Sequence, residues 1–279
     1  MKVSVTCIQN LVTDDFDNNL FRARAKIDAV SPFSDIVVLP EMFICPYQNE
    51  NFIAFTKVAN QRNILQKLSE SAKRNHVFLF AGSIPEKEND KIYNTCFVFD
   101  HHGNIIAKHR KIHLFDVDFK SMHFKESDVL SAGNEMTVVD TPYGRIGVAI
   151  CFDLRFPEIF RLMVDAGAKA FVIPASFNTT TGPLHWELLI RSRAIDNLCF
   201  TIACGTAFSP DSSYPSYGHS MIVSPQGVVL QEANSLEQVI TETIDLNDVL
   251  TARTELPVLQ GRRLDLYHIQ KGDHCEQSN

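Results

Sequence analysis

Three separated residues of this chain could together attack a carbonyl group: Glu41 after "IVVLP", Lys111 after "NIIAKHR" and Cys151 after "RIGVAI". An attacking cysteine needs a base to take its proton and a cation to hold the charge that develops. A carboxylate and a lysine supply both without histidine. Each of the three follows a strand-like run, where α/β proteins gather their reactive groups. Their spacing shows only that three strands could converge. Taken singly, each has a plainer reading: a turn cap after Pro40, part of a solvated basic run "KHRKIH", and a buried inert thiol. Cys151 is distinguished by its place between an apolar run and an amphipathic one, where backbone N–H groups gather and a thiolate would be stabilised. None of the ten histidines lies in a nucleophile-pairing motif, although spacing leaves His113 and His185 open.

The elements that must position these residues alternate along the chain. Val3–Gln9 reads as a strand, Asp17–Val30 as a helix, and "DIVVLPE" as a short buried strand stopped by Pro40. A helix over Gln61–Arg74 precedes the strand "HVFLFAGS". "YNTCFVFDHHGNIIAKHRKIHLF" reads as a hairpin turning at "HHGN". "GRIGVAI" is a strand whose following helix has Pro157 in its first turn and Gly167 past its end. "KAFVIPAS" leads to a helix over Gly182–Asn197. "FTIACGTA", "HSMIVS", "VVLQEA" and "VITETID" are late strands, several without a helix between them, so mixed sheets are expected. There is no repeat or linker. The expected organisation is one domain over residues 1–268 with a polar tail at 269–279.

Charge and composition narrow the function classes. The 279 residues carry 26 Lys+Arg against 33 Asp+Glu, a net charge of −7, with no basic cluster suited to nucleic acid or an anionic membrane. The seven cysteines are scattered and never form a CxxC pair, which argues against a disulfide framework or a zinc site. The opening "MKVSVTCIQN" reads as a strand rather than a signal peptide. A cytoplasmic protein with a small-molecule substrate, no nucleic-acid partner and no membrane partner is therefore expected.

Beyond these readings, "LPEMF", "HRKIHLFD" and "GVAICFDLRFPE" resemble the three signature segments of the nitrilase superfamily, carbon–nitrogen hydrolases with a Glu-Lys-Cys triad. The likeness runs in order from the first strand to about "RRLDLY". It implies that Glu41, Lys111 and Cys151 are catalytic and that the Phe152 N–H helps bind an oxyanion. It also implies that Glu126 of "FKESD" orients Lys111; the plainer reading of Glu126 is a surface acid beside Lys125. A four-layer α-β-β-α sandwich is implied, with two mixed β-sheets packed face to face. So is a homodimer through the helices after Cys151 and after Gly182, working without metal or organic cofactor.

Within the superfamily, "VVDTPYGRIGVAICFDLRF", "SFNTTTGPLHWELLIRSRAIDN" and "SYGHSMIVSPQG" are most similar to the omega-amidase branch. That branch hydrolyses the terminal amide of 2-oxoglutaramate and 2-oxosuccinamate. Such substrates have an anionic end, and Arg155 suits a bidentate carboxylate contact. Phe177 and Thr181 match substrate-lining positions. The plainer readings are an Arg155–Glu158 ion pair and core packing for Phe177, while Trp186 reads as core or subunit contact. "EMFICPYQNE" departs from expectation in carrying Met42 and Ile44 where a less uniformly apolar pocket loop is expected. Other readings are an amidase for deaminated glutathione or an N-carbamoyl compound, and a non-enzymatic redox-sensing or scaffold role.

Overall fold

The structure, a computed structural model, describes residues 2–58, 61–119 and 122–272. Along the chain run β1 (Lys2–Gln9), α1 (Phe16–Val30), β2 (Ile36–Val38), α2 (Asn49–Val58), α3 (Gln61–Asn75) and β3 (Phe78–Phe80). Then come β4 (Ile84–Glu88), β5 (Lys91–Phe99), β6 (Ile105–Arg110), β7 (Asp116–Phe119), β8 (Met122–Lys125), β9 (Thr137–Thr141) and β10 (Gly144–Val148). The remainder is α4 (Pro157–Asp165), β11 (Ala170–Ala175), α5 (Gly182–Asn197), β12 (Phe200–Gly205), β13 (Met221–Val223), β14 (Val229–Glu232), β15 (Gln238–Asp245) and α6 (Asp248–Glu255).

Two sheets share one plan. In the first, β1, β2 and β3 run parallel, with β15 antiparallel beside β1. Strand β5 carries β3 and β4 in tandem along one edge and β6 along the other. In the second, β10, β11 and β12 run parallel between antiparallel β9 and β13, with β14 beyond. Parallel neighbours require crossovers. Helices α1 to α3 make them for the first sheet, and α4 and α5 for the second.

Strand alternation then separates the layers, because successive side chains point to opposite faces. Val5, Cys7, Ile36, Val38, Phe78 and Phe80 share a core with Ile146, Val148 and Val172 of the second sheet. Their neighbours Val37, Leu79, Phe97 and Phe99 pack instead with Leu20, Ile27, Phe55 and Leu68 of α1 to α3. Phe160, Met163, Trp186 and Ile190 of α4 and α5 cover the far face of the second sheet. The expected α-β-β-α sandwich of two mixed sheets is the observed architecture.

Several elements carry too little periodic signal to be read from sequence. Strands β7 and β8 form a hairpin whose first strand is largely exposed and only four residues long. Helices α2 and α6, and strand β4, are short. Of the expected tail, residues 269–272 are exposed and residues 273–279, with Cys275, lie outside the described residues. Among the described residues no helix is long and apolar enough to cross a membrane.

Candidate active site

Each of the three reactive side chains sits just past a strand, and local backbone fixes each one. After β2, Pro40 lies so close to Gly82 that a Cβ there would meet the Pro40 carbonyl oxygen at 2.0 Å. Gly82 also has φ +52°, a left-handed conformation that glycine adopts without penalty. Glu41 is thus held under the end of β3, and its carbonyl accepts from Thr206 Oγ1 at 3.3 Å. Lys111 directly follows β6. Its N–H donates to Asn94 O at 2.8 Å, and its own carbonyl accepts from Gly133 N–H at 2.8 Å.

Cys151 opens a short 3-10 turn (Cys151–Arg155) with φ +45°. For a non-glycine residue that conformation costs of order 1–3 kcal/mol and persists only where the surroundings enforce it. Asp153 does the enforcing. Its carboxylate accepts the Ile150 N–H at 2.9 Å, the residue just before the cysteine. It also accepts the His113 N–H at 2.9 Å and lies 2.8 Å from His113 Nδ1 and 3.3 Å from His109 Nε2. The turn bearing Cys151 is thereby tied to the two histidines flanking Lys111. Burial alone would raise the Asp153 carboxyl, but these hydrogen bonds outweigh it and hold it well below the usual carboxylate range. His113, left open by spacing, is occupied by Asp153 and by stacking on Phe156 at 3.6 Å.

Around Lys111 the charged groups are fully buried and mutually paired. Lys111 Nζ donates to Glu41 Oε1 at 2.9 Å, Tyr47 Oη at 3.0 Å and Glu126 Oε1 at 3.0 Å. Tyr47 donates in turn to Glu126, whose Oε2 accepts the Phe115 N–H at 2.6 Å. Glu126 is therefore no surface acid. Glu41 Oε1 also accepts from Asn94 Nδ2 at 2.8 Å. Its second oxygen, Oε2, is buried with no conventional hydrogen-bond partner among the described residues. The Cys151 thiol interacts with this same carboxylate.

The electrostatics suit proton transfer between these groups. Burial raises the Glu41 carboxyl, Lys111 opposes the shift, and Glu126 adds to it. Burial would lower Lys111, but Glu126, Glu41 and Cys151 outweigh it and keep the ammonium charged. Burial pushes the Cys151 thiol well up and Glu41 adds to this, against Lys111 and the Ser176 N–H. The resting sulfur is a thiol needing a base. Desolvation outweighs the stabilisation that the local N–H groups offer a thiolate, in keeping with the expected need for a base.

Cys151 borders a narrow cavity of about 10 Å³, shared with Phe152, Arg155, Phe177, Thr181 and Tyr214. The sulfur is therefore at a cavity wall, although the residue is only 5% exposed. Arg155 is half-buried. No carboxylate pairs with it among the described residues, and Glu158 is not its partner. Its guanidinium lies 3.3 Å from His185 Nδ1 and over the rings of Phe152 and Phe177 at 5.6 and 5.3 Å. Thr181 is buried, with its N–H and hydroxyl donating to Asn178 Oδ1 at 2.9 and 3.2 Å. Phe177 lines the cavity and also packs on Trp186, which is buried in the core. The Phe152 N–H lies in the first turn of the 3-10 segment, where donors have no intrahelical acceptor.

Residues 4–254 match the carbon-nitrogen hydrolase family. The chain belongs to that family. It is 43% identical over 258 residues to Omega-amidase NIT3 of Saccharomyces cerevisiae, covering 89% of each chain. With Omega-amidase NIT2 of Homo sapiens it shares 41% identity over 266 residues, covering 94% of this chain and 96% of the human protein. The crystal structure of S. cerevisiae Nit3, described as a member of branch 10 of the nitrilase superfamily, superimposes with a TM-score of 0.87. That match is 40% identical and covers 94% of this chain and 97% of the other.

The hydrolase fold brings Glu41, Lys111, Glu126 and Cys151 together and places Phe152, Arg155, Phe177 and Thr181 around the same cavity. Sequence reading missed Tyr47, Asn94, Asp153 and Tyr214. Asp153 lies inside "CFDLRFPE", so its type and place were visible; the other three come from strands or loops with no motif. Met42 and Ile44, read as pocket-loop residues, belong to the core that α1 to α3 cover, and Met42 also lines the pocket beside Glu41. Among the described residues no group of His, Cys, Asp or Glu is arranged to hold a metal ion.

Proposed function

We propose that this carbon–nitrogen hydrolase is an omega-amidase, releasing ammonia from the terminal amide of 2-oxoglutaramate or 2-oxosuccinamate. The observation that carries the substrate class is Arg155, a half-buried guanidinium without a carboxylate partner among the described residues, which shares a cavity with Cys151. A desolvated, unpaired guanidinium favours an anionic group presented by the substrate. The printed names of the yeast and human relatives support the same reading.

In this mechanism Glu41 takes the Cys151 proton as sulfur attacks the amide carbon. Lys111 and the Phe152 N–H hold the oxyanion, where one such donor is typically worth about 2.7–4 kcal/mol of barrier. Glu41 then protonates the leaving nitrogen, and ammonia departs from a thioester on Cys151. Water activated by Glu41 hydrolyses that thioester. Glu126 and Tyr47 keep Lys111 aimed. Arg155 takes the distal carboxylate, with Phe177 and Thr181 shaping the space between.

The test is ammonia release from 2-oxoglutaramate, from deaminated glutathione and from an N-carbamoyl compound, each with wild type and Cys151→Ala. The wild type is expected to prefer 2-oxoglutaramate, and Cys151→Ala to lose about 10⁴-fold or more in kcat while remaining folded. Preference for another substrate would displace the omega-amidase reading, and substantial turnover by Cys151→Ala would remove the nucleophile.

The proposal extends to residues 1–268 acting as one hydrolase domain in the cytoplasm, with which the free thiols of the described cysteines are consistent. It also extends to a homodimer through α4 and α5, of which α5 exposes Leu184, Leu188 and Ile195. Sedimentation at twice the chain mass is the expected result, and a monomer at working concentration would remove that part.

A further inference from the structure

The walls of the Cys151 cavity are not alike. Phe152 and Arg155 border it half-buried, with solvent to move into when an acyl group enters past them. Tyr214 borders it buried, on the loop between β12 and β13. Behind Tyr214 lies a surface pocket of about 320 Å³, bordered also by Tyr47, Phe124 and the exposed His123, Lys125 and Ser213. That is the size of a small-molecule site. Among the described residues Tyr214 is the only one that borders both the Cys151 cavity and this outer pocket.

Packing and a hydrogen bond hold Tyr214 in that place. Its ring lies against Tyr47 at 4.6 Å and Phe124 at 5.6 Å between centroids. Its hydroxyl donates to Ser176 O at 3.0 Å. Burial pushes that hydroxyl well up, and the charges of Cys151 and Glu41 add to the shift, which places it near both reacting groups. Tyr47, which also borders the outer pocket, donates to Glu126 and accepts from Lys111. It cannot turn aside without releasing Lys111, and Tyr214 carries no such duty.

We infer that Tyr214 is a specificity-determining residue that closes the leaving-group side of the site, so that only amides with an unsubstituted nitrogen are taken. This rests on the amidase reading above and deepens it by fixing the leaving group as ammonia. In acylation the Cys151 sulfur bonds to the amide carbon and the C–N bond breaks. The nitrogen leaves with the proton that Glu41 took from the thiol, as ammonia from a primary amide or as an amine from a substituted one. Glu41 must reach that nitrogen, so a substituent on it extends from a carboxylate that Lys111, Asn94 and Tyr47 already crowd at 2.9, 2.8 and 3.3 Å. The space large enough for such a group lies beyond Tyr214. With the ring in place the substituent meets aromatic carbon, whereas a nitrogen bearing only hydrogen ends at Glu41.

The test compares kcat/KM for 2-oxoglutaramate with that for its N-methyl and N-propyl derivatives on the full chain, reading the 2-oxoglutarate that all three release. This constant reports acylation, the step in which the nitrogen leaves. The wild type is expected to lose about 10- to 200-fold on the N-methyl amide, the range for one misfitting carbon, and more on the N-propyl amide. Tyr214→Ala is expected to recover at least about tenfold of the N-propyl loss. Tyr214→Phe, which keeps the ring and loses only the hydroxyl, is expected to keep the wild-type ratio. Taking the ratio within each variant cancels both a general loss of activity and the lower intrinsic reactivity of a secondary amide. A wild type that takes the N-propyl amide as readily as the primary one overturns the assignment, whatever the variants do. So does a folded Tyr214→Ala that keeps the wild-type ratio; should that variant not fold, Tyr214→Leu is held to the same criterion. The series is built on whichever amide acylates Cys151, so failure of 2-oxoglutaramate counts against the substrate and not against Tyr214.

Discussion

Lys111 and Arg155 are two cations in one candidate site, and they are treated in opposite ways. Lys111 is fully buried and directs its donors at Glu41, Tyr47 and Glu126. Arg155 is half-buried, meets no carboxylate among the described residues, and lies against one imidazole and two ring faces. A buried charge is tolerated only when compensated. Lys111, compensated by protein groups, is held at one point and suits a reaction centre. Arg155 is left to be compensated by something else, which is the condition of a substrate-binding group.

Removing each cation should separate the two roles. The larger effect is expected from Lys111→Met, which leaves Glu41 and Glu126 uncompensated. We expect kcat to fall about 10²–10³-fold and stability to fall by about 3–5 kcal/mol, measured by steady-state kinetics and denaturant unfolding. A variant that unfolds like the wild type would show that the cluster is not a coupled unit. The smaller effect is expected from Arg155→Met, because no ion pair is broken. KM for 2-oxoglutaramate should rise roughly 10- to 100-fold, the weight of charge-assisted hydrogen bonds, with little change in thermal melting. An amide without the distal carboxylate should be indifferent to the change. If Arg155→Met instead lowers kcat for every amide or melts early, the contrast between the two cations fails.

The same contrast shows what could be read from residues alone. Glu41, Lys111 and Cys151 were legible because each lies in a short motif after an apolar strand, and their order along the chain carries the family likeness. Glu126 and Arg155 were legible because they sit within or near those motifs. Tyr47 was not. It precedes a short helix in a stretch that reads as apolar loop, yet its hydroxyl joins Lys111 to Glu126. Nor was the work of Asp153, whose carboxylate ties the Cys151 turn to the Lys111 segment across 40 residues of chain. Asn94 likewise acts through its place opposite Lys111, next along the pairing of β5 with β6.

By itself the sequence determined most strands and helices, the candidate residue types and the family, because periodicity and motifs are local properties of a chain. Only the tertiary structure decided which charges are paired, that the Cys151 sulfur is buried against the Glu41 carboxylate, and that Arg155 meets no carboxylate among the described residues. Those outcomes depend on desolvation and on the distances between residues far apart in sequence. Both are set by how the two sheets pack, and neither is written in any single segment.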